Sequence, residues 1–342
     1  MKTLLLTRHD IQKIFGIKEA IRVAEKTFRS FANGKTQMPE KSYLYLPKYR
    51  GDFRSMPAYV EDQNAVGVKW VNVHTDNFKQ KLPTVMAMII LGDSKTGYPL
   101  AVMDGTYITN LRTGAAGAIA AKYLARKDSS VVALIGTGNQ ARTQLEGLRQ
   151  SFKIKEIRVW SSDSKSDERF IKSCHSKSLN CHPERSEGSQ NRRSFAVLRM
   201  TSVKECVQNA DIIVTTTPSR KPLVHLAWVK RGAHINAIGA DAKGKIELEP
   251  KILQNSKVII DDWAQASHSG EINVAVSKGL ITKRDIHATL GDIILGKKKG
   301  RTSESEITVF DSTGLSIQDI ASAHFIYEHA QKKHLGKSIA FF

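Results

Sequence analysis

VVALIGTGNQA, residues 131–141, is the stretch from which the fold is read: a run of aliphatic and β-branched side chains stops at Gly136-Thr137-Gly138. Gly136 permits a tight turn, Gly138 lets backbone come close to a ligand, and the small Ala141 lets a following helix pack on the strand. The spacing is G-x-G-x-x-A, and a helix opening there turns unpaired N–H groups and its positive dipole end toward a pyrophosphate. By itself such a triplet is weak, because many strand-to-helix turns carry glycines and bind nothing. Its surroundings strengthen it. Val131 to Ile135 reads as a buried strand, Gln140 to Gln150 as a helix, and Ile157 to Trp160 as a second strand at the distance a βαβ unit needs.

Further along, Val203 to Asn209 reads as a short helix, and Asp211 to Thr217, Ala233 to Gly239 and Lys257 to Asp261 as strands. This alternation predicts a doubly wound parallel sheet over 131–261. The chain before it has a different character. Residues 8–33 carry apolar side chains at helical spacing, and Tyr43 to Leu46, Phe53 to Val60, Val66 to Val73 and Thr84 to Leu91 read as strands between turn signals. An α+β domain is therefore expected ahead of the nucleotide fold. Residues 111–125, LRTGAAGAIAAKYLA, predict a small-residue helix, and Ser316 to Lys333 a long closing one. Residues 180–194, NCHPERSEGSQNRRS, break every periodicity, so a surface insertion is expected at about 180–200. It resembles translated repeat elements scattered in bacterial genomes, a resemblance that implies a functionally inert segment; Phe195 to Thr201 reads as a strand resuming after it.

Composition narrows the class. With 342 residues, 41% hydrophobic and 25% charged, the chain has the make-up of a soluble globular protein of two domains. No apolar run reaches membrane-spanning length and the first ten residues lack a signal-peptide pattern, so a cytoplasmic protein is expected. The net charge of +19 is spread along the chain, with a single tight basic cluster at Lys297-Lys298-Lys299. That distribution favours attraction of small anionic ligands over a nucleic-acid groove. Three cysteines make no disulfide framework, and the Cys174-His175 and Cys181-His182 pairs match no familiar zinc spacing, so no metal is expected.

Several residues pose a choice between structure and chemistry. Lys69 interrupts the apolar run VGVKWVNV; on pattern alone an edge-strand lysine facing water is the plainer explanation. Arg54 in DFRSMPAY raises the same question. Arg112 opens the small-residue helix, where a cation opposes the dipole and calls for a nearby anion. Gly239-Ala240-Asp241 follows a strand at the sheet's carboxyl edge, where Asp241 either trades protons with a ligand or caps the next helix. Asp311-Ser312-Thr313-Gly314 is a capping turn or a ligand contact. His74, His268 and His324 lack a visible partner and read as structural or surface residues.

Longer stretches carry a resemblance. KWVNVHTDN, LPTVMAMIILGDSKTGYPLAVMDGTYITNLRTGAAGA, GADAKGKIELEP, DDWAQASHSGEINV and TVFDSTGLSIQDIA resemble the ornithine cyclodeaminase and mu-crystallin family, over about residues 4–332 without the insertion. Within it they look most like archaeal-type alanine dehydrogenases. The resemblance implies a Rossmann-type domain over 116–314 and an α+β substrate and dimerisation domain over 1–115, completed by 315–342, in a homodimer. It implies Lys69 and Asp241 as the proton-transfer pair and Arg54, Lys69 and Asp241 as the substrate-binding residues, with Arg54 and Lys69 holding the substrate carboxylate. Cofactor contacts are implied at Thr84, Arg112, Gly136, Gly138, Asn139, Gln140, Ser161, Ser162, Asp163, Gly239, Ala240, Asp241, Lys245 and Ser312. The implied reaction is NAD-dependent oxidative deamination of L-alanine. A cyclodeaminase or cyclic-imine reductase, and a non-enzymatic nucleotide-binding protein, are the alternatives. One departure bears on the cofactor: Trp160-Ser161-Ser162-Asp163 places no acid at the end of the second strand, and Lys165 follows, so NADP stays open beside NAD.

Overall fold

Val131–Ile135 is a strand with Val132, Ala133, Leu134 and Ile135 fully buried, as a parallel strand covered on both faces must be. This computed structural model describes residues 2–175 and 196–341, and the chain divides into two units: Met1–Arg112 with Leu315–Phe342, and Thr113–Gly314.

In the second unit Arg220–Val224 and Ile246–Leu248 pair as a small two-stranded sheet, and the other described strands form one eight-stranded sheet, in the order Ala196–Arg199, Glu156–Trp160, Val131–Ile135, Ile212–Thr215, His234–Ala237, Thr308–Asp311, Lys257–Ile260, Ala288–Thr289. All of its pairings are parallel. The order reverses beside Val131–Ile135, which puts the glycine turn at a topological switch point, where open α/β sheets bind ligands. Gly136 has φ +102°, and a Cβ there would stand 2.6 Å from Thr216 Oγ1, so the turn requires glycine. Helix Asn139–Leu148 starts directly after it and buries Ala141, Leu145 and Leu148. Gly114 and Gly117 of helix Gly105–Leu124 let that helix lie against Thr143 and Gln144, with which any larger side chain would collide.

The strand expected over Phe195 to Thr201 is present as Ala196–Arg199 at one edge of the sheet, pairing with Glu156–Trp160 and packing Val197 on the core, so the insertion bounds of about 180–200 reached a few residues into it. Residues 180–194, with the Cys181-His182 pair, lie outside the described residues. The small-residue helix begins at Gly105, not at 111, because the Asp104 carboxylate accepts the Thr106 N–H at 2.8 Å and starts it directly from the preceding strand. Arg112 thus sits inside the helix, away from its positive end, and the dipole argument for it lapses.

The first unit is a mostly antiparallel sheet in the order Lys337–Ile339, Thr3–Leu6, Pro99–Asp104, Val85–Gly92, Ala65–His74, Gly51–Val60, Thr36–Gln37, with Ser42–Leu46 also on Gly51–Val60. The helix expected over 8–33 is broken into Arg8–Gln12 and Ile17–Ala32; Gly16 is the second helix's N-cap, its N–H bonded to Glu19 Oε2 at 3.0 Å. Helix Ser316–Lys332 packs on one face of the sheet and buries Ile317, Ile320, Ala323, Ile326 and Ala330. That face alternates Arg54, Met56, Ala58 with Lys69, Val71 and Ala87, Ile89 on neighbouring strands. Lys69 is therefore on an interior strand under a helix, not on an edge facing water.

Candidate active site

Lys69 is 1% exposed, and its Nζ lies 2.5 Å from Asp319 Oδ2 and 3.5 Å from Thr109 Oγ1. Asp319 comes from the closing helix and is fully buried; its Oδ1 accepts from Arg112 Nε at 3.1 Å and from Thr109 Oγ1 at 3.4 Å. One carboxylate is thus held between two cations. Burial is the main reason the Lys69 amine is pushed down to about 7, with Arg112 adding to it and Asp319 opposing. Burial works against the Asp319 carboxylate, but Arg112 and Lys69 outweigh it and hold it below the ordinary range. With Lys69 protonated the trio carries one excess positive charge, which an anionic ligand or loss of the Lys69 proton removes.

Arg54 shares the buried face, opposite Val71 and one step along from the Met56–Lys69 pair. Its Nε and Nη2 grip Asp52 at 2.7 and 3.2 Å, and its guanidinium stands over the Tyr43 ring. Thr84 is exposed just before Val85–Gly92, and its carbonyl accepts the His74 N–H at 2.8 Å. Thus Lys69, Arg112 and Arg54 share one buried layer of the first unit, the first two through Asp319, while Thr84 stands at a strand's exposed start.

In the second unit Gly138 is the N-cap of Asn139–Leu148, and no atom lies within 4 Å of where its Cβ would be. That open space beside the first N–H groups of Asn139 and Gln140 fits the close approach of a pyrophosphate. Ser161 donates to Asp167 at 2.5 Å, and Thr137 of the glycine turn donates to the same carboxylate at 3.3 Å. Asp167, buried, therefore ties the turn to the end of the second strand. Asp163 accepts the Lys165 N–H at 3.0 Å where helix Ser164–His175 begins, with Ser162 exposed between. Asp241 pairs with Lys245 across a short loop after His234–Ala237, and Arg220 bonds the Lys243 carbonyl at 3.1 Å. Gly239 and Ala240 lead into that loop, and Ser312, buried, hangs from the Ala237 carbonyl by its N–H at 3.0 Å.

Buried acids support this loop and its neighbours, and of these the sequence reading passed over Glu247 and Glu271. Glu247 accepts the Gly239 N–H at 2.9 Å and the Thr217 N–H at 2.6 Å; Glu271 accepts the N–H groups of Glu247 and Leu248. Asp311 accepts the Ile272 N–H, and Asp261 those of Thr313 and Gly314. Burial pushes Glu247 up to about 7 and Asp311 up to about 8, and Glu271 is raised by burial and by its neighbour Glu247. Asp319 had a signal of its own: it begins the 319, 323, 326, 330 row of a helix whose other members are apolar and buried. Glu247 stood between buried Ile246 and Leu248, a charge in a strand covered on both sides. Among the described residues no cluster of ligands suits a metal ion, and no helix is long and apolar enough to cross a membrane.

The ornithine cyclodeaminase/mu-crystallin family model matches residues 1–334. Alanine dehydrogenase of Archaeoglobus fulgidus is 49% identical over 342 residues, covering 100% of this chain and 99% of that protein. Among solved structures, an archaeal alanine dehydrogenase dimer with bound NAD superposes with a TM-score of 0.91 at 48% identity, covering 100% of both chains. Thermococcus litoralis Δ1-pyrroline-2-carboxylate reductase, in complex with NADH and L-proline, matches with a TM-score of 0.91 at 36% identity, over 98% of this chain and 99% of the other. A match that runs nearly from end to end, on a parallel sheet with the glycine turn at its switch point, leaves no ambiguity of family: this chain belongs to the ornithine cyclodeaminase/mu-crystallin family.

Proposed function

We propose that this protein is an NAD-dependent amino-acid dehydrogenase that converts L-alanine, NAD⁺ and water reversibly into pyruvate, ammonium, NADH and a proton. Lys69 carries the reading. Oxidising an amine requires a group that takes a proton from the substrate ammonium and serves water as it adds to the imine carbon. A sealed amine brought to about 7 exchanges its proton at working pH. The similarity to an alanine dehydrogenase supports alanine as substrate, and relatives bound to NAD and NADH support NAD over NADP.

Gly136, Gly138, Asn139 and Gln140 would hold the pyrophosphate, with Ser161, Ser162 and Asp163 at the ribose. Thr84, Arg112, Gly239, Ala240, Lys245 and Ser312 are further proposed contacts. NAD, when bound, supplies the acceptor for the hydrogen and electron pair leaving the substrate Cα. Arg54 orients the substrate carboxylate, its own position fixed by Asp52. Lys69 takes the ammonium proton, and Asp241 returns a proton to the departing amine.

Spectrophotometric assay of alanine, ornithine, proline and cyclic imines with both nicotinamide cofactors tests the reading. NADH formed from alanine and none from ornithine supports it. The similarity to a pyrroline-2-carboxylate reductase favours one second reading, in which only a cyclic imine consumes NADH. A non-enzymatic protein would change the absorbance with none of them.

The archaeal relative described as a dimer suggests a homodimer here too. The sheet face opposite the closing helix supports it. Trp70 and Met88 stand opposite each other there, both exposed, with Ile90 beside them and Phe53 stacked on Trp70 at 5.1 Å. A contiguous apolar face of this kind calls for a covering partner, and a second copy is the proposed one. Met88→Glu should give monomers in sedimentation; an unchanged dimer would place the interface elsewhere.

A further inference from the structure

We infer that Asp319 is the positioning residue of the Lys69 site: its carboxylate fixes the amine in place and sets when the amine gives up its proton, with Arg112 and Thr109 fixing the carboxylate in turn. The inference rests on the reading of Lys69 as the proton-transfer group.

The geometry leaves Asp319 little freedom. Its two oxygens are divided, Oδ2 to Lys69 at 2.5 Å and Oδ1 to Arg112 at 3.1 Å and Thr109 at 3.4 Å. The helix that carries it is anchored to the same sheet by Ser316 Oγ, which donates to the Pro57 carbonyl at 2.9 Å. A protonated lysine has three donors. Among the described residues Asp319 takes one squarely and Thr109 a second at 3.5 Å. A flexible four-carbon side chain is thereby held to one position, which proton transfer over hydrogen-bond distance demands.

The charge balance gives Asp319 its second effect. The charged groups acting on Lys69 are Asp319 from the closing helix, Arg112 from Gly105–Leu124, and Lys41 ahead of Ser42–Leu46. Arg112 and Lys41 repel the ammonium, and among the described residues Asp319 is the charge that attracts it most. When Lys69 gives up its proton, Arg112 and Asp319 remain as a neutral pair, so the trio is stable in either state. Without the Asp319 charge, two buried cations face each other with no counter-ion. Lys69 then yields first, since a guanidinium keeps its proton.

The test compares pH profiles of kcat/KM and NAD affinity for wild type, Asp319→Asn, Asp319→Glu and Lys69→Met. Asp319→Asn keeps the shape and removes the charge. It should lower kcat about 10–100-fold and move the Lys69 limb about one pH unit or more to the acid side, with NAD affinity retained. The shift has the same sign in either reaction direction, because a lowered amine pKa moves both a rising and a falling limb toward acid. A limb left in place, with only the folded fraction reduced, would reduce Asp319 to a structural role and overturn the inference. Should the Asn variant not fold, Asp319→Glu keeps the charge but displaces it by a methylene; a lowered kcat at unchanged NAD affinity supports positioning, and wild-type kcat overturns it. Lys69→Met is the control for the underlying reading. If it retains turnover, the assignment of Lys69 fails; if it loses turnover while Asp319→Asn keeps its limb, only the role of Asp319 fails.

Discussion

Two buried clusters, one in each unit, hold their charge in opposite ways. In the first, Asp319 is compensated by cations, Lys69 and Arg112, and is held ionised. In the second, Glu247, Glu271 and Asp311 are compensated by backbone N–H groups, and burial pushes all three up. The difference teaches what each cluster can do. Burial brings Lys69 near neutrality in the first cluster and Glu247 and Asp311 near it in the second, but Lys69 is held by a side-chain counter-ion and the two acids by backbone N–H groups. Carboxyls that accept from turns hold loops in shape, and those loops carry Asp241, Lys245 and Ser312.

The comparison breaks most sharply at Lys69. Lys69→Met leaves Arg112 and Asp319 as a balanced pair, so the protein should stay folded while turnover falls about 10²–10⁴-fold. Unfolding, seen by circular dichroism, would mean that the first cluster is as structural as the second. In the second unit the larger loss should be of stability. Glu247→Ala strands the half-buried N–H groups of Thr217 and Gly239 and should cost about 1–3 kcal/mol in denaturant unfolding, whereas Glu247→Gln, which keeps an acceptor, should cost less. Equal costs would deny the backbone bonds their role.

Stability against pH sharpens the contrast. Acids raised in the folded state bind protons the unfolded chain has released, so Glu247 at about 7 and Asp311 at about 8 lose stability as pH rises from the ordinary carboxylate range toward those values. Lys69 acts the other way: its folded amine sheds its proton at about 7, so it adds stability as pH rises from there toward 10.5. Melting temperature across pH 5–10 in Glu247→Gln and Lys69→Met should lose the falling and the rising component respectively. The smallest stability effect is expected at Gly138, where a methyl meets no atom within 4 Å. Gly138→Ala should melt like wild type yet bind NAD more weakly. Gly136→Ala, with φ +102°, should lose about 1–3 kcal/mol of stability. If the two alanine variants behave alike, the turn is not shaped around a ligand.

Most of the second unit's fold was legible because its signals are local. A strand stopping at a glycine turn, then a helix, then a strand needs only neighbouring residues to be recognised. The first unit was read less completely. Its strands Thr3–Leu6, Pro99–Asp104 and Lys337–Ile339 are short, and two of them pair with each other from opposite ends of the chain. The site was legible as a set of residue types and not as an arrangement. Arg112 does have an anion beside it, but for burial and not for the helix dipole, and that anion, Asp319, lies 207 residues away. Lys69 read as a solvent-facing edge lysine on pattern alone, because alternation tells which residues share a face and not whether that face is covered.

What the sequence by itself determined is the glycine turn, the parallel βα alternation behind it, and the family to which they belong, since each is carried by residues close together or by long matched stretches. What only the tertiary structure decided is the state of Lys69. Its partner Asp319 is 250 residues distant, and the burial that lowers its proton affinity exists only when the closing helix lies on the sheet. A pKa is a property of surroundings, and for this lysine the chain assembles them from both of its ends.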